Sequence, residues 1–463
     1  MTAEISSPHS LLRSSSHPLS STPGVLPWRR NPLQIVSVTG NVPPVTTAAS
    51  STAETSAPSI PKLPAVRIAS IDALRGFVMF MMIFVNDLAG GGEIVPNWMV
   101  HFSDRHHGGS GMTFVDQVFP AFLFIVGMSI PFALGSRLSK GESLWKILLH
   151  IITRTCALLA IGILMVNAEA GATQRWMYAM FLSSILAFCG ILPRGASPTQ
   201  TRFWNILSLG LRIIGFAGMV YCAFTFQGPK GQRIITLSPF HLRTEWYGIL
   251  GLIGWAYLAA AGVFLIFRTH RTALLGCVAV MLCFYPAERN GVFDNFWFTN
   301  HVVSLSGTVG SHGAIAVAGI LLASILLATD TRTHFSRLIF TLLFIAGFAS
   351  AAWLLNGVYG ISKNEATTSW CLWSCAITAA IWLGFYYVCD VAPVNMVRAP
   401  LVAAGQNVLL AYLLSEMLPN LFEFLHFGHE PMLAWIISRS LLWAFVLLCL
   451  TTLLNRLGFR LKI

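Results

Sequence analysis

The sequence predicts an all-α polytopic membrane protein, a transmembrane helical bundle of about twelve (10–12) helices. Three observations carry this. Hydrophobic residues make up 55% of the 463-residue chain and mean hydropathy is +0.69, more apolar surface than a soluble core of this size needs. Apolar windows of spanning length, roughly 20 residues, recur from position 74 to the C-terminus. The runs FVMFMMIFV, FLFIVGMSI and LLWAFVLLCLTTLL are continuous where a barrel would alternate, so each segment satisfies its own backbone as a helix.

Residues 1–66 are a different polymer, rich in Ser, Thr and Pro with only brief apolar patches such as Val25-Leu26-Pro27-Trp28. They cannot bury enough surface to fold alone, and a disordered cytoplasmic tail is expected. They also lack the early apolar stretch of a secretory signal, roughly 7–15 residues. Residues 67–463 form the membrane domain, with spans expected at 74–95, 114–135, 147–166, 176–193, 204–226, 246–267, 273–288, 311–328, 336–358, 367–390, 399–423 and 431–455. The stretch 289–310 reads as a loop or a re-entrant segment.

Lysines and arginines are held back on the cytoplasmic side during insertion. Arg137, Lys140, Lys146, Arg268, Arg271, Arg337, Arg398, Arg456, Arg460 and Lys462 all fall in segments that face one side if both termini are cytoplasmic. The loop 227–245, with Lys230, Arg233 and Arg243, is the exception. The net charge of +11 is thus a matter of topology, and nothing interleaves these cations with an aromatic nucleic-acid surface. The nine cysteines show no CxxC or Cys/His spacing, so they read as small packing residues and no metal is expected. A His/Asp metal site in the 101–116 loop is disfavoured by its i,i+1 and i,i+5 histidine spacings.

Ionisable groups near a membrane are costly and mark a task. Asp72 and Arg75, before the first apolar run, lie three apart on one helix face and can pair; Asn86 and Asp87 close that run. Gly90-Gly91-Gly92 follows, and then NWMVHFSDRHHGG, which holds His101, His106 and His107, three of the thirteen histidines. Asp116 heads the second helix, where a carboxylate caps the amide dipole or orients a histidine. Pro120 and Pro131 permit kinks in that helix. Late in the chain Asn407, Tyr412 and Glu416 form either a polar seam between helices or part of a site.

The run from Arg67 to Pro131 resembles the heparan-α-glucosaminide N-acetyltransferase family and its bacterial relatives. SIDALRGF, FVND, GGG and GMTFVDQVFPAFLFIVGMSI carry the likeness, and RTCALLAIGILMVN and the late Gly405, Asn407, Tyr412 and Glu416 extend it. The resemblance implies an acetyl-CoA-dependent transmembrane N-acetyltransferase of the bacterial inner membrane, whose acceptor is an amino sugar or glycan amine on the far side. It also implies a catalytic histidine just before the second helix. Counting forward from Trp98 selects His101; counting ten residues back from Asp116 selects His106. His101 is preferred, because GGG and Trp98 anchor it and the residues after it look like an insertion.

An imidazole can accept the amine proton or carry the acetyl group itself. Asp116 or Asp104 can fix its tautomer, and Asn86 and Asn407 can donate to the oxyanion. Arg137, Lys140 and Lys146 are the expected phosphate partners of the donor, with Asp72, Arg75, Asp87, Tyr412 and Glu416 as further binding residues. The expected partners are the lipid bilayer and the acceptor, with a homodimer admitted. The rival class is a secondary transporter of amino sugars, since about twelve helices with midplane carboxylates suit that architecture too.

Overall fold

Each long apolar run folds as a helix, closing its backbone hydrogen bonds internally as hydrocarbon demands. The computed structural model describes residues 68–105, 109–193, 195, 197–238, 240–331, 333–418 and 432–462. The expected tail lies outside them, as do His106 and His107. The helices are α1 (Ala69–Ala89), α2 (Phe102–Arg105), α3 (Phe114–Ser139), α4 (Leu144–Glu169), α5 (Gln174–Phe188), α6 (Pro198–Thr225), α7 (Gly248–Phe267), α8 (Arg271–Leu282), α9 (Phe284–Arg289), α10 (Trp297–His301), α11 (Gly313–Leu327), α12 (His334–Tyr359), α13 (Thr368–Tyr386), α14 (Asn395–Ala404), α15 (Val408–Met417) and α16 (Leu433–Arg456). Two short antiparallel ladders join β1 (Cys189–Ile191) to β4 (Phe459–Leu461) and β2 (Ile235–Leu237) to β3 (Phe240–Leu242).

Among the described residues ten helical segments are long and apolar enough to cross a membrane, and eleven if α14 and α15, bent by 70°, count as one span. The all-α bundle of 10–12 helices is therefore the fold. The expected spans depart from the observed helices at two places. The span 176–193 is helical only to Phe188. Fifteen helical residues cover about 22 Å, and β1 adds roughly 10 Å of extended chain, which together match a hydrocarbon core of about 30 Å. Trp176 Nε1 donates to the Cys222 carbonyl at 3.2 Å and Gly215 packs on Ala187, so α5 runs antiparallel along α6.

The span 399–423 is broken into α14 and α15, and its residues beyond Leu418 lie outside the described ones. Gly405 sits against the Asp72 carbonyl, where a Cβ would overlap. Asn407 leaves helical geometry (φ −140°, ψ 48°) and grips β4: its Nδ2 donates to the Phe459 carbonyl and its Oδ1 accepts from Leu461 N, each at 3.2 Å. The stretch 289–310 contains α10 and then a π-helical turn, Leu305–His312, that feeds α11.

The segment Leu305–Leu327 is the axis of the bundle, with 94% of its most apolar window buried inside the protein. Its contact with α3 is backbone on backbone. A Cβ on Gly127 would overlap the Ala316 carbonyl, and one on Gly319 the Phe124 carbonyl. Small residues permit this approach where no hydrophobic effect drives helices together. At the periphery α6 and α12 bury only 22% of theirs and present Phe203, Ile213, Tyr221, Trp353 and Leu354 outward, as lipid-facing helices should.

Arg75 reaches Ser129, late in α3, so α1 and α3 are antiparallel. One end of the bundle carries the start of α1, whose Ala69 and Ser70 amides donate to Asp390 at 3.1 Å, together with Arg137. The other end carries Asn86, His101 and Asp116.

Candidate active site

Asp116 lies in the first turn of α3, where the unpaired amides of a helix start favour a carboxylate. Its Oδ2 accepts from Thr113 N and Phe102 N, both at 3.0 Å. Thr113 in turn donates its hydroxyl to the carbonyl of Val100, the residue before His101, at 2.7 Å. The remaining oxygen, Oδ1, lies 2.7 Å from His101 Nδ1. Because a carboxylate only accepts, Nδ1 is the donor and Nε2 keeps the lone pair. The Asp116 side chain is 2% exposed and that of His101 33%: the buried partner orients an accessible ring. The exposed ring of Trp98 lies 5.9 Å, centroid to centroid, from that of Phe114 in the first turn of α3.

A third charged group comes from the loop between α12 and α13. Lys363 Nζ lies 3.2 Å from both ring nitrogens of His101. Sequence reasoning missed it, although a signal existed: Lys363 is a lysine on the side where few cations are expected. His106 lies outside the described residues, as does the side chain of Asp104.

The other expected residues fall into two groups. At the same end as His101, Asn86 Nδ2 donates to Glu416 Oε1 at 3.2 Å, and Asp87 accepts from Ser440 Oγ at 2.6 Å and Arg439 Nη2 at 3.1 Å. Asp87 thereby ties α1 to α16. Toward the other end, Arg75 pairs with Asp72 at 3.3 Å and also reaches Ser129 Oγ at 2.5 Å and the Gly405 carbonyl at 3.4 Å.

Arg75, Asn407 and Tyr412 line a cavity of about 480 Å³ among α1, α3, α4, α7 and the α14/α15 break. Arg154, His150 and Lys462 also line it, and its apolar wall includes Met79, Met82, Phe122 and Leu158. Arg154 also stacks over Tyr257, 4.8 Å from the ring centroid. Arg137, Lys140 and Lys146 are not among the lining residues: Arg137 pairs with Glu142 at 3.1 Å, and both lysines are exposed. His150, Arg154 and Leu158 are four apart and share one face of α4, a periodicity visible in the sequence once that face is known to matter. Among the described residues no group of three or more His, Cys, Asp or Glu side chains is arranged to hold a metal ion.

Fold and site together define a polytopic helical membrane protein with a histidine–carboxylate pair near one end and a cation-edged cavity toward the other. A protein family described as a domain of unknown function (DUF5009) matches residues 67–189. The heparan-alpha-glucosaminide N-acetyltransferase of Mus musculus is 31% identical over 144 residues, 28% of this chain and 21% of the mouse protein. That of Homo sapiens is 38% identical over 101 residues, 22% of this chain and 14% of the human protein. The chain is thus similar to these N-acetyltransferases, as its first helices suggest, and the matched stretches span at most 21% of their length.

Proposed function

We propose that the chain is a membrane-embedded acyltransferase that passes an acetyl group from cytosolic acetyl-CoA to an amino sugar or glycan amine on the extracytoplasmic side. The observation that carries the proposal is the His101–Asp116 pair near one end of the bundle, a one-third exposed imidazole held by a buried carboxylate. The likeness to two N-acetyltransferases supports it.

The cavity beside Arg75 and Arg154 fits the donor's chemistry. Arg75, Arg154 and Lys462 offer charge-assisted hydrogen bonds to phosphates, and Met79, Met82 and Phe122 offer an apolar channel to a pantetheine arm. Phe122 lies six residues along α3 from Asp116, about 9 Å on the helix axis, so the arm must pass beyond the cavity to reach His101. His101 Nε2 takes a proton from the acceptor amine as its nitrogen bonds to the thioester carbon. The carbon–sulfur bond then breaks, and the same proton goes to the departing thiolate. Asn86, at the same end, is our candidate oxyanion donor; Asn407 serves instead to hold β4 and with it Lys462 at the cavity.

Purified protein in detergent should form N-acetylglucosamine and free CoA thiol from glucosamine and acetyl-CoA. Arg154→Ala should raise KM for acetyl-CoA about tenfold with kcat nearly unchanged, the loss of one charged hydrogen bond. An unchanged KM would remove the cavity from the mechanism. Sidedness has its own test. A cysteine at Asn364 should react with an impermeant thiol reagent on intact cells and one at Lys140 should not, and the opposite pattern would reverse the direction of transfer.

One observation favours the transporter. A discontinuous helix pair, α14 and α15, borders the large cavity, as in many transporters. Accumulation of glucosamine by proteoliposomes without acyl-CoA would establish that reading in place of ours.

A further inference from the structure

A second cavity, of about 340 Å³, opens beside the histidine–carboxylate pair, with Asp116 and Phe102 in its wall. Lys363, whose ammonium lies 3.2 Å from both ring nitrogens of His101, lines it too, so the imidazole stands at its edge. Ligand sites run from about 300 to 1,000 Å³, which gives this one room for a single sugar ring rather than several.

Another part of the wall comes from α9 and the loop between α12 and α13. Arg289 and Glu365 are ion-paired there, and both line the cavity. A buried phenol anchors them: Tyr285, 4% exposed, donates its hydroxyl to Glu365 Oε2 at 3.1 Å and accepts from Arg289 Nε and Nη2 at 3.2 and 3.1 Å. Among the described residues Arg289 Nη1 and Glu365 Oε1 make no hydrogen bond, and both side chains are exposed. A donor and an acceptor are thus held side by side, each with an open position. Two neighbouring hydroxyl groups, which both donate and accept, are their complement. Tyr359 adds an aromatic surface: its ring borders the cavity and packs nearly perpendicular on that of Tyr285, with centroids 5.6 Å apart. The loop itself is held through its backbone. Gly111 N donates to the Ile361 carbonyl at 2.9 Å, Ile361 N to Ser110 Oγ at 2.8 Å, and Ser362 N to Thr367 Oγ1 at 3.1 Å.

We propose that this cavity is a subsite for the pyranose ring of the acceptor, in which Arg289 and Glu365 bind two adjacent ring hydroxyls and Tyr359 supports the ring while the amine meets His101. The subsite selects hexosamines over amines that lack a vicinal diol, such as a lysine side chain or an aminated lipid headgroup. It rests on the acyltransferase reading for its effect on turnover, and sugar binding can be measured without that reading.

The experiment compares glucosamine with cyclohexylamine, a ring amine without hydroxyls, on wild type, Arg289→Ala and Glu365→Ala. An ion pair this exposed contributes little to stability, so both variants should fold. The ratio of the two kcat/KM values, followed from protein to protein, cancels the difference in basicity between the amines. It should fall about tenfold in each variant, the loss of one hydrogen bond to a charged group. The fall should come through glucosamine alone, with cyclohexylamine kept within about twofold of wild type. A ratio unchanged in either variant, or loss of both acceptors by a common factor, overturns the subsite and leaves the acyltransferase reading standing. If wild type acetylates neither amine, that reading fails; then, and also if only one amine is a substrate, calorimetric binding of glucosamine decides. Binding about tenfold weaker in each variant than in wild type sustains the subsite; equal binding, or none, disproves it.

Discussion

His101→Ala should cut acetyl transfer at least about a hundredfold, the lower range for loss of a positioned proton-transfer group, while acetyl-CoA still binds. The substitution leaves the local fold in place, because Asp116 keeps its bonds from Phe102 N and Thr113 N. It also leaves untouched the cations lining the larger cavity. His106→Ala and His107→Ala should each keep most activity. If the imidazole carries the acetyl group, radiolabelled acetyl-CoA without acceptor should mark wild type and not the variant. An inactive His106→Ala beside an active His101→Ala would transfer the role to His106, and activity in all three would remove the histidine from the chemistry.

Gly127→Leu should abolish the monodisperse peak of the detergent-purified protein. The glycine faces the Ala316 carbonyl, with no room even for a Cβ, so four added carbons must push α3 off α11. Overpacking a flexible core costs about 1–3 kcal/mol; here the obstacle is backbone, which cannot swing aside, and a domain's whole stability is about 5–15 kcal/mol. Gly347→Leu, on the lipid-facing side of α12 where nothing lies within 4 Å of a built Cβ, is the control and should elute normally. Equal behaviour of the two would show that the α3–α11 contact is not what holds the axis.

The helices were legible because continuous apolar runs leave the backbone no other option in lipid. The contact between His101 and Asp116 joins two residues of one block that resembles a known family, so the sequence could bring both to notice, while His106 lies outside the described residues. Lys363 was not legible, because it is 262 positions from His101 and arrives through a loop stitched to Gly111. The residues lining the cavity were not legible for a related reason. Arg137, Lys140 and Lys146 were selected for lying just past a helix end, whereas lining depends on which helix face turns inward, and that face belongs to His150 and Arg154. The break at Gly405–Asn407 escaped hydropathy because it is caused by contacts with Asp72 and β4, neither of which alters the average apolarity of the run.

The encased axis has a consequence for biogenesis. Leu305–Leu327 touches almost no lipid in the finished bundle, yet its mean hydropathy is 1.9, the value of a segment built to live in a bilayer. It is synthesised before α12 and α13, which later help enclose it, so on leaving the translocon it must first lodge among acyl chains. Its apolarity then serves an earlier environment than its final one on the faces that α12 and α13 later cover, while Ala316 and Gly319 meet an α3 already made. Polar substitutions along this segment should therefore fail at insertion, even where the completed bundle has a hydrogen-bond partner ready for them.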